Sequence, residues 1–401
     1  MKAHSAAHLG RFAAEGGPIR AAVRQLGRLL PLVVLLPALA WSGDFIATLD
    51  RLPPDWHGER FQLRTDWPRQ KPDSPRPWEA IDVRRHPHAY VQALKDYVYA
   101  GMAEVDFVPR KNRIHAWYHM PWHHLGRRAR EAVHGLSRQR DVKSFELGPT
   151  QSEPQQKWEL TFFNDMMAWQ QGRIWQDGRP HLEHAELPPG SLVVKYVFVT
   201  GDDAQLPMLR GAPTWQAHIN CTIRRDDRRC IRPVRLVQMD IAVRDEQVKD
   251  TTSWVMTTLV YDRDAPGRTG WDRMVPLGVQ WGNDPGITPE DVARGAKLKE
   301  TVIFADAPKY ALERLGWAGR LNGPTDLKGS ACLSCHSTAS WPDPPRFTPP
   351  KGADDATRLR WFRNLKPDEP FLPGRVSLDY SLHLENALKN FYHANPSDGD
   401  D

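Results

Sequence analysis

The pentapeptide Cys332-Leu333-Ser334-Cys335-His336 carries the residue types and spacing best suited to chemistry in this chain. Two thiols three positions apart can form thioethers with the two vinyl groups of one porphyrin. The histidine that follows can then place an imidazole on the iron as proximal ligand. The motif therefore predicts one covalently attached c-type haem, held by Cys332 and Cys335 and ligated by His336. Three rival readings are a redox dithiol, half of a zinc site, and chance. A redox C-x-x-C sits where a strand meets a helix, whereas Gly329 and Ser330 before the motif and Pro342, Pro344 and Pro345 after it read as loop. A zinc site needs a second ligand pair at metal spacing, and Cys221 and Cys230 lie too far apart to supply one. With four cysteines in the whole chain, chance is a weak explanation.

What stands on the other side of such a haem is less defined. No methionine follows His336, so the downstream ligand of small helical electron carriers is missing. Candidate sixth ligands are His115, His119, Met120, His123 and His124 in one short stretch, Met208, and His383 or His393 near the C-terminus. Pro121 breaks any helix in the histidine-rich stretch, which reads more simply as a packed loop. Without a strong sixth ligand the iron keeps an accessible face. Two further side chains are out of place in their surroundings. Lys195 interrupts Leu192–Val199 and Asp240 interrupts Leu236–Val243, both apolar runs. A charge among apolar residues must snorkel, pair or lose its charge. The plain expectation is that the two lie near strand edges or pair with each other.

The elements that must position these groups follow from periodicity. Trp158–Phe163, Leu192–Val199, Val234–Val243, Trp254–Tyr261 and Met274–Val279 are rich in β-branched and aromatic residues and are separated by Gly, Pro and Asp turn material. They predict a mainly β, α+β chain: an antiparallel β domain ending in the haem loop, with peripheral helices. Tyr90, Val91, Leu94, Tyr97 and Val98 form one stripe of a helix over Tyr90–Ala100. Residues 127–138 read as a short basic helix, a helical piece lies near Trp361, and residues 379–393 form a last amphipathic helix. The resulting division is a secretory signal at 1–40, a mixed N-terminal extension at 41–150, a β-rich haem domain at 151–345, and a Pro-rich segment with the C-terminal helix at 346–401.

The signal is read from Arg20, Arg24 and Arg28, the apolar run Leu29–Leu39, and Ala38-Leu39-Ala40 as an A-x-A cleavage site. An uncleaved anchor is the alternative, and only then is a membrane a partner. Cleavage places the mature protein in the periplasm, the side on which c-type haem is attached. The first forty residues hold five basic residues and one acidic one, so the formal charge of +5 falls to near +1 without them. No basic surplus is left for a nucleic-acid partner. Sixteen tryptophans suit a large apolar pocket and an ordinary core equally. In an oxidising compartment, Cys221 and Cys230 on either side of a charged loop predict a structural disulfide.

Several of these stretches together resemble the cytochrome P-460 family. Gly190-Ser191-Leu192-Val193-Val194-Lys195 resembles that family's strand bearing a lysine that cross-links to haem. Asp240-Ile241-Ala242-Val243-Arg244-Asp245 resembles its strand with a distal glutamate, here one methylene shorter as Asp. Ser253-Trp254 through Tyr261-Asp262 resembles the next strand, and Cys332–His336 comes last, in the family's order. The resemblance covers roughly residues 155–345. It implies a β-sandwich-like fold around a c-type haem, Lys195 as the cross-linking residue and Asp240 as the distal proton-transfer group. Some members oxidise hydroxylamine, and the related β-type cytochromes c′ bind nitric oxide and similar gases. The chain as a whole also resembles larger bacterial c-haem proteins, which implies no activity.

Three functions compete. One is an exported mono-haem cytochrome with an accessible iron, doing small-molecule redox chemistry or binding gases of the nitrogen-oxide type. Such a protein would exchange electrons with a periplasmic partner, and hydroxylamine oxidation is its possible enzymatic form. The alternative is a six-coordinate periplasmic electron-transfer cytochrome. The third is a binding domain in which haem acts as a sensor.

Overall fold

The apolar runs form the strands of one eight-stranded sheet. The computed structural model describes residues 51–124, 129–224 and 228–396. Its strands are β1 (Ser137–Arg138), β2 (Lys157–Phe163), β3 (Leu192–Val199), β4 (Thr214–Asn220), β5 (Arg229–Arg244), β6 (Trp254–Tyr261), β7 (Met274–Gln280) and β8 (Thr301–Ile303). They lie in the order β1-β2-β3-β5-β6-β7-β8, every neighbouring pair antiparallel, and β4 pairs with the first half of β5. Two further two-residue strands, β9 (Ser340–Trp341) and β10 (Val376–Ser377), pair apart from it. The chain is thus a sheet-rich α+β protein. The described residues form one compact unit, so the segments before and after the sheet share its core.

Both faces of the sheet are covered, which is why β2 and β6 are buried along their whole length. On one face Leu160, Phe162, Val194, Tyr196, Met239, Ile241, Val255 and Leu259 pack with the helix α1 (Pro87–Tyr99). The predicted stripe of Tyr90, Val91, Leu94, Tyr97 and Val98 is its buried side. Lys95 Nζ and Tyr99 Oη donate to the Met274 and Trp271 carbonyls, fixing α1 against β7. On the other face, Phe163, Val193, Ala242 and Met256 meet the C-terminal segment. The helix α2 (Asp165–Ile174) leaves β2 through Asn164, whose Oδ1 accepts from Met167 N at 3.1 Å and from Leu192 N at 3.0 Å. One side chain thereby caps a helix and ties it to β3.

The remaining helices are short, α3 (Pro289–Ala293), α4 (Lys309–Leu312), α5 (Cys332–His336) and α6 (Asp355–Leu359), except for α7 (Leu382–Ala394). Leu384, Ala387, Leu388 and Phe391 are the buried side of α7. Two expectations need correction. The Cys332–His336 motif is itself a turn of helix, not loop, although loops flank it. Residues 129–138 contain no helix. Glu131, buried, accepts from the Val133 and His134 amides and turns the chain there. Gly135 continues the turn in the left-handed region at φ 75° that favours glycine, and Ser137–Arg138 then joins the sheet. The predicted signal segment lies outside the described residues. No described helix is long and apolar enough to cross a membrane.

Candidate cofactor site

Helix α5 converts the spacing of the motif into geometry. Positions i, i+3 and i+4 of a helix share one face, so Cys332, Cys335 and His336 lie together while Leu333 and Ser334 are buried on the opposite side. Ser334 Oγ accepts from Ala331 N at 2.8 Å and closes the first turn. The shared face lines a cavity of about 450 Å³, well within the size range of cofactor sites.

The same cavity is walled by the sheet. The register Thr161↔Lys195↔Asp240↔Thr258↔Gly278 runs straight across β2, β3, β5, β6 and β7. Lys195 and Asp240 are therefore neighbours in the middle of the sheet, not at its edges, and both line the cavity. They form an ion pair at 2.9 Å. Gln238 Nε2 donates to both Asp240 oxygens at 3.0 and 2.9 Å, and Thr258 Oγ1 donates to one at 2.8 Å. A second pair, Lys157–Asp326 at 3.0 Å, joins the network through Gln238 Nε2 and Asp326 at 2.9 Å. Burial alone would lower the Lys195 ammonium, but Asp240, Asp326 and Glu159 outweigh it and hold it well above its ordinary value. Lys195 therefore stays charged. Burial opposes ionisation of Asp326 too, yet Lys157 and Lys195 keep its carboxyl well below the usual carboxylate range.

Of the histidine-rich stretch, His123 and His124 reach this cavity, and His383 of α7 joins them. The His383 ring stands edge-on to that of His123 at 4.7 Å. Burial, with His336, Lys195 and Arg130 nearby, pushes His383 down to about 3, so it is neutral. Burial, reinforced by His124, His383 and Arg130, keeps His123 neutral as well. The other candidates lie elsewhere. His115 packs on Tyr97 at 4.1 Å, His119 Nδ1 accepts from the Arg64 amide at 3.1 Å, Met120 and Met208 pack in core clusters, and His393 is exposed. Cys221 and Cys230 are bonded to each other at the β4–β5 turn, outside the cavity lining.

The chemistry of these donors fits a c-type haem. His336 Nδ1 donates to the Tyr380 carbonyl at 2.9 Å. This bond fixes the ring and leaves Nε2 for a metal. Tyr380 offers that carbonyl from a two-residue left-handed stretch, with Asp379 at φ 44° and Tyr380 at φ 64°. Burial lowers His336 below its ordinary value, which keeps the imidazole in its ligating form. Both thiols are free. Burial pushes Cys335 up to about 12 and holds Cys332 well above its ordinary value, opposite to the depressed thiols of redox dithiols. Among the described residues, no three His, Cys, Asp or Glu side chains converge to cage a metal ion, which disfavours the zinc reading.

Sequence reasoning passed over Lys157, Glu159, Gln238 and Asp326, all part of this wall or its network. The signal was present in β2, where Lys157, Glu159 and Thr161 alternate with Trp158, Leu160 and Phe162. Such alternation reads as an ordinary solvent-facing side, but here the polar side is roofed. No family model, curated protein or solved structure matches the chain.

Proposed function

We propose that the chain is an exported c-type cytochrome carrying one covalently bound haem, with its iron open to a small ligand. The observation that carries this reading is the helix α5, on which Cys332, Cys335 and His336 share one face on the cavity while Tyr380 engages only His336 Nδ1. Cys332 and Cys335 would form the thioethers, and His336 Nε2 would be the proximal ligand. A haem there supplies an iron that changes oxidation state and takes a small molecule such as nitric oxide or hydroxylamine. Asp240 and Lys195 form a charged, hydrogen-bonded wall that can orient a polar ligand. On this reading the sheet corresponds to the β-sandwich-like domain of the cytochrome P-460 and β-type cytochrome c′ families. A lysine cross-link is a further possibility of that reading. It requires Lys195 to give up a proton first, because the ammonium that Asp240 stabilises has no lone pair.

The test is haem staining after denaturing electrophoresis of the exported protein. Wild type should stain at the mass of the chain, and the Cys332→Ala, Cys335→Ala double variant should not. Unstained wild type sinks the reading.

One observation favours the electron-transfer alternative. The neutral His383 ring lines the same cavity and, among the described residues, makes no hydrogen bond. An imidazole in that state can be a sixth ligand. Optical spectra with and without nitric oxide divide the two readings. Low-spin iron that ignores nitric oxide selects the closed form.

A further inference from the structure

Three carboxylates belong to the charged network on the cavity wall, and they are not equivalent. Asp240 receives Lys195, two Gln238 contacts and Thr258. Asp326 receives Lys157 and Gln238. Glu159, on β2 and 7% exposed, forms no ion pair. Its Oε1 accepts from Gln139 Nε2 at 2.7 Å, and its Oε2 has no partner among the described residues. We propose that Glu159 is the proton-exchanging group of the cavity, gaining one proton when the haem held there gains one electron. This rests on the haem reading above and assigns proton exchange to Glu159, leaving Asp240 as the fixed counter-ion of Lys195.

The physical reason is a difference in freedom. A carboxylate clamped by a lysine and several donors is costly to protonate, because each donor would lose its acceptor. Glu159 has one neutral donor and an open oxygen, so a proton can arrive on Oε2 without breaking an existing bond. The charges around it come from four elements: Lys195 on β3, Lys157 on its own strand, Arg130 before β1, and Asp326 in the loop before α5. Burial raises the Glu159 carboxyl, and it wins over the lowering by Lys195, Lys157 and Arg130, while Asp326 adds to the rise. An electron entering the cavity adds one negative charge beside this acid and favours its protonation further. The balance is one electron from an added chemical reductant and one proton from solvent, forming one O–H bond on Glu159.

The experiment is a redox titration of the haem-loaded protein at a series of pH values. Between the acid's values in the oxidised and reduced protein, each tenfold drop in proton activity lowers a one-electron potential by about 59 mV. Wild type should show that slope over a window displaced above the ordinary range of a glutamate carboxyl. Glu159→Gln, which keeps an acceptor for Gln139, should be flat there, and Glu159→Asp should restore a sloping window at a displaced pH. A Glu159→Gln protein that keeps the wild-type slope overturns the assignment. An infrared difference spectrum of wild type needs no variant: reduction should create a carboxylic acid carbonyl band, and its absence also overturns the idea. Haem staining of the same samples separates the two proposals. Stained protein with a pH-independent potential removes the role of Glu159 alone, whereas unstained protein removes both.

Discussion

Lys195→Met tests whether the wall of the cavity is a clamped ion pair. The substitution keeps the length of the side chain and deletes its charge. Asp240 would keep Gln238 at 3.0 and 2.9 Å and Thr258 at 2.8 Å, so it loses one of its several donors. A hydrogen bond to a charged group contributes about 1.5–3 kcal/mol, and stranding a charge in a fully buried pair costs about 3–5 kcal/mol. Both side chains are 22% exposed, through the cavity, so water relieves part of the penalty and the expected loss is about 2–3 kcal/mol. Lys195 is held above its ordinary value, so its contribution is complete at neutral pH and is lost only as pH rises through its folded-state value in the alkaline range. Urea unfolding at neutral pH, followed by tryptophan fluorescence, measures the difference. Lys195→Met combined with Asp240→Leu should recover most of the loss, because no charge is then left without a partner. A single-variant loss below about 0.5 kcal/mol would refute the reasoning, since that is the range of an exposed pair.

Replacing both Cys221 and Cys230 by Ser should cost about 2–3 kcal/mol, the loop-closure entropy of so short a cross-link, and a non-reduced digest of wild type should yield the two peptides joined. Asp379, fully buried, is raised to about 6 by burial despite Arg244, Trp254 and the Leu187 amide. Its protonated form is therefore the one the fold favours. Wild-type stability relative to Asp379→Asn should fall by about 3 kcal/mol as pH rises from about 4 to about 6, then level off; no difference between the two pH profiles would contradict this. His383→Ala should leave haem staining intact, and it should turn a low-spin spectrum high-spin only if the ring is an iron ligand.

The Cys332–His336 cluster and the strands were legible because each is a local pattern: five residues at fixed spacing, and runs of Val, Ile, Phe and Tyr between turns. The oddity of Lys195 and Asp240 was local too, since each interrupts an apolar run. Their pairing was one of the expectations open from sequence, but their place in mid-sheet was not fixed, because β4 intervenes in sequence between β3 and β5 while β3 pairs directly with β5. The strand Thr214–Asn220 went unread because Gln216 and His218 alternate with small or single apolar residues and look like turn material. Residues 127–138 misled by charge: the arginines suggested a helical face, but the buried carboxylate of Glu131 organises a turn around Gly135. Glu159 was invisible for a different reason. Whether a polar side of a strand meets water or a roof depends on segments distant in sequence, here the loop carrying Asp326 and helices α5 and α7.

The distribution of satisfied and unsatisfied polar groups bears on whether the iron of the proposed haem would be open or closed. Most of the charged wall is complete: Lys195, Asp240, Lys157 and Asp326 each have partners within hydrogen-bonding distance. Among the described residues, polar groups that line the cavity without a protein partner include the His383 ring, the buried Nδ1 of His123 and Oε2 of Glu159. A buried polar group left without a partner costs about 1–3 kcal/mol, so the lone Nδ1 of His123, beside two cavity-facing groups without protein partners, points to something polar that enters the cavity. Two are neutral imidazoles and one is a carboxyl, a set matched to a metal-centred group and a proton, not to an apolar ligand. If His383 or His123 takes the iron, Glu159 remains as the proton site of an electron carrier. If neither does, the three groups would line the space left for a small ligand of the proposed haem.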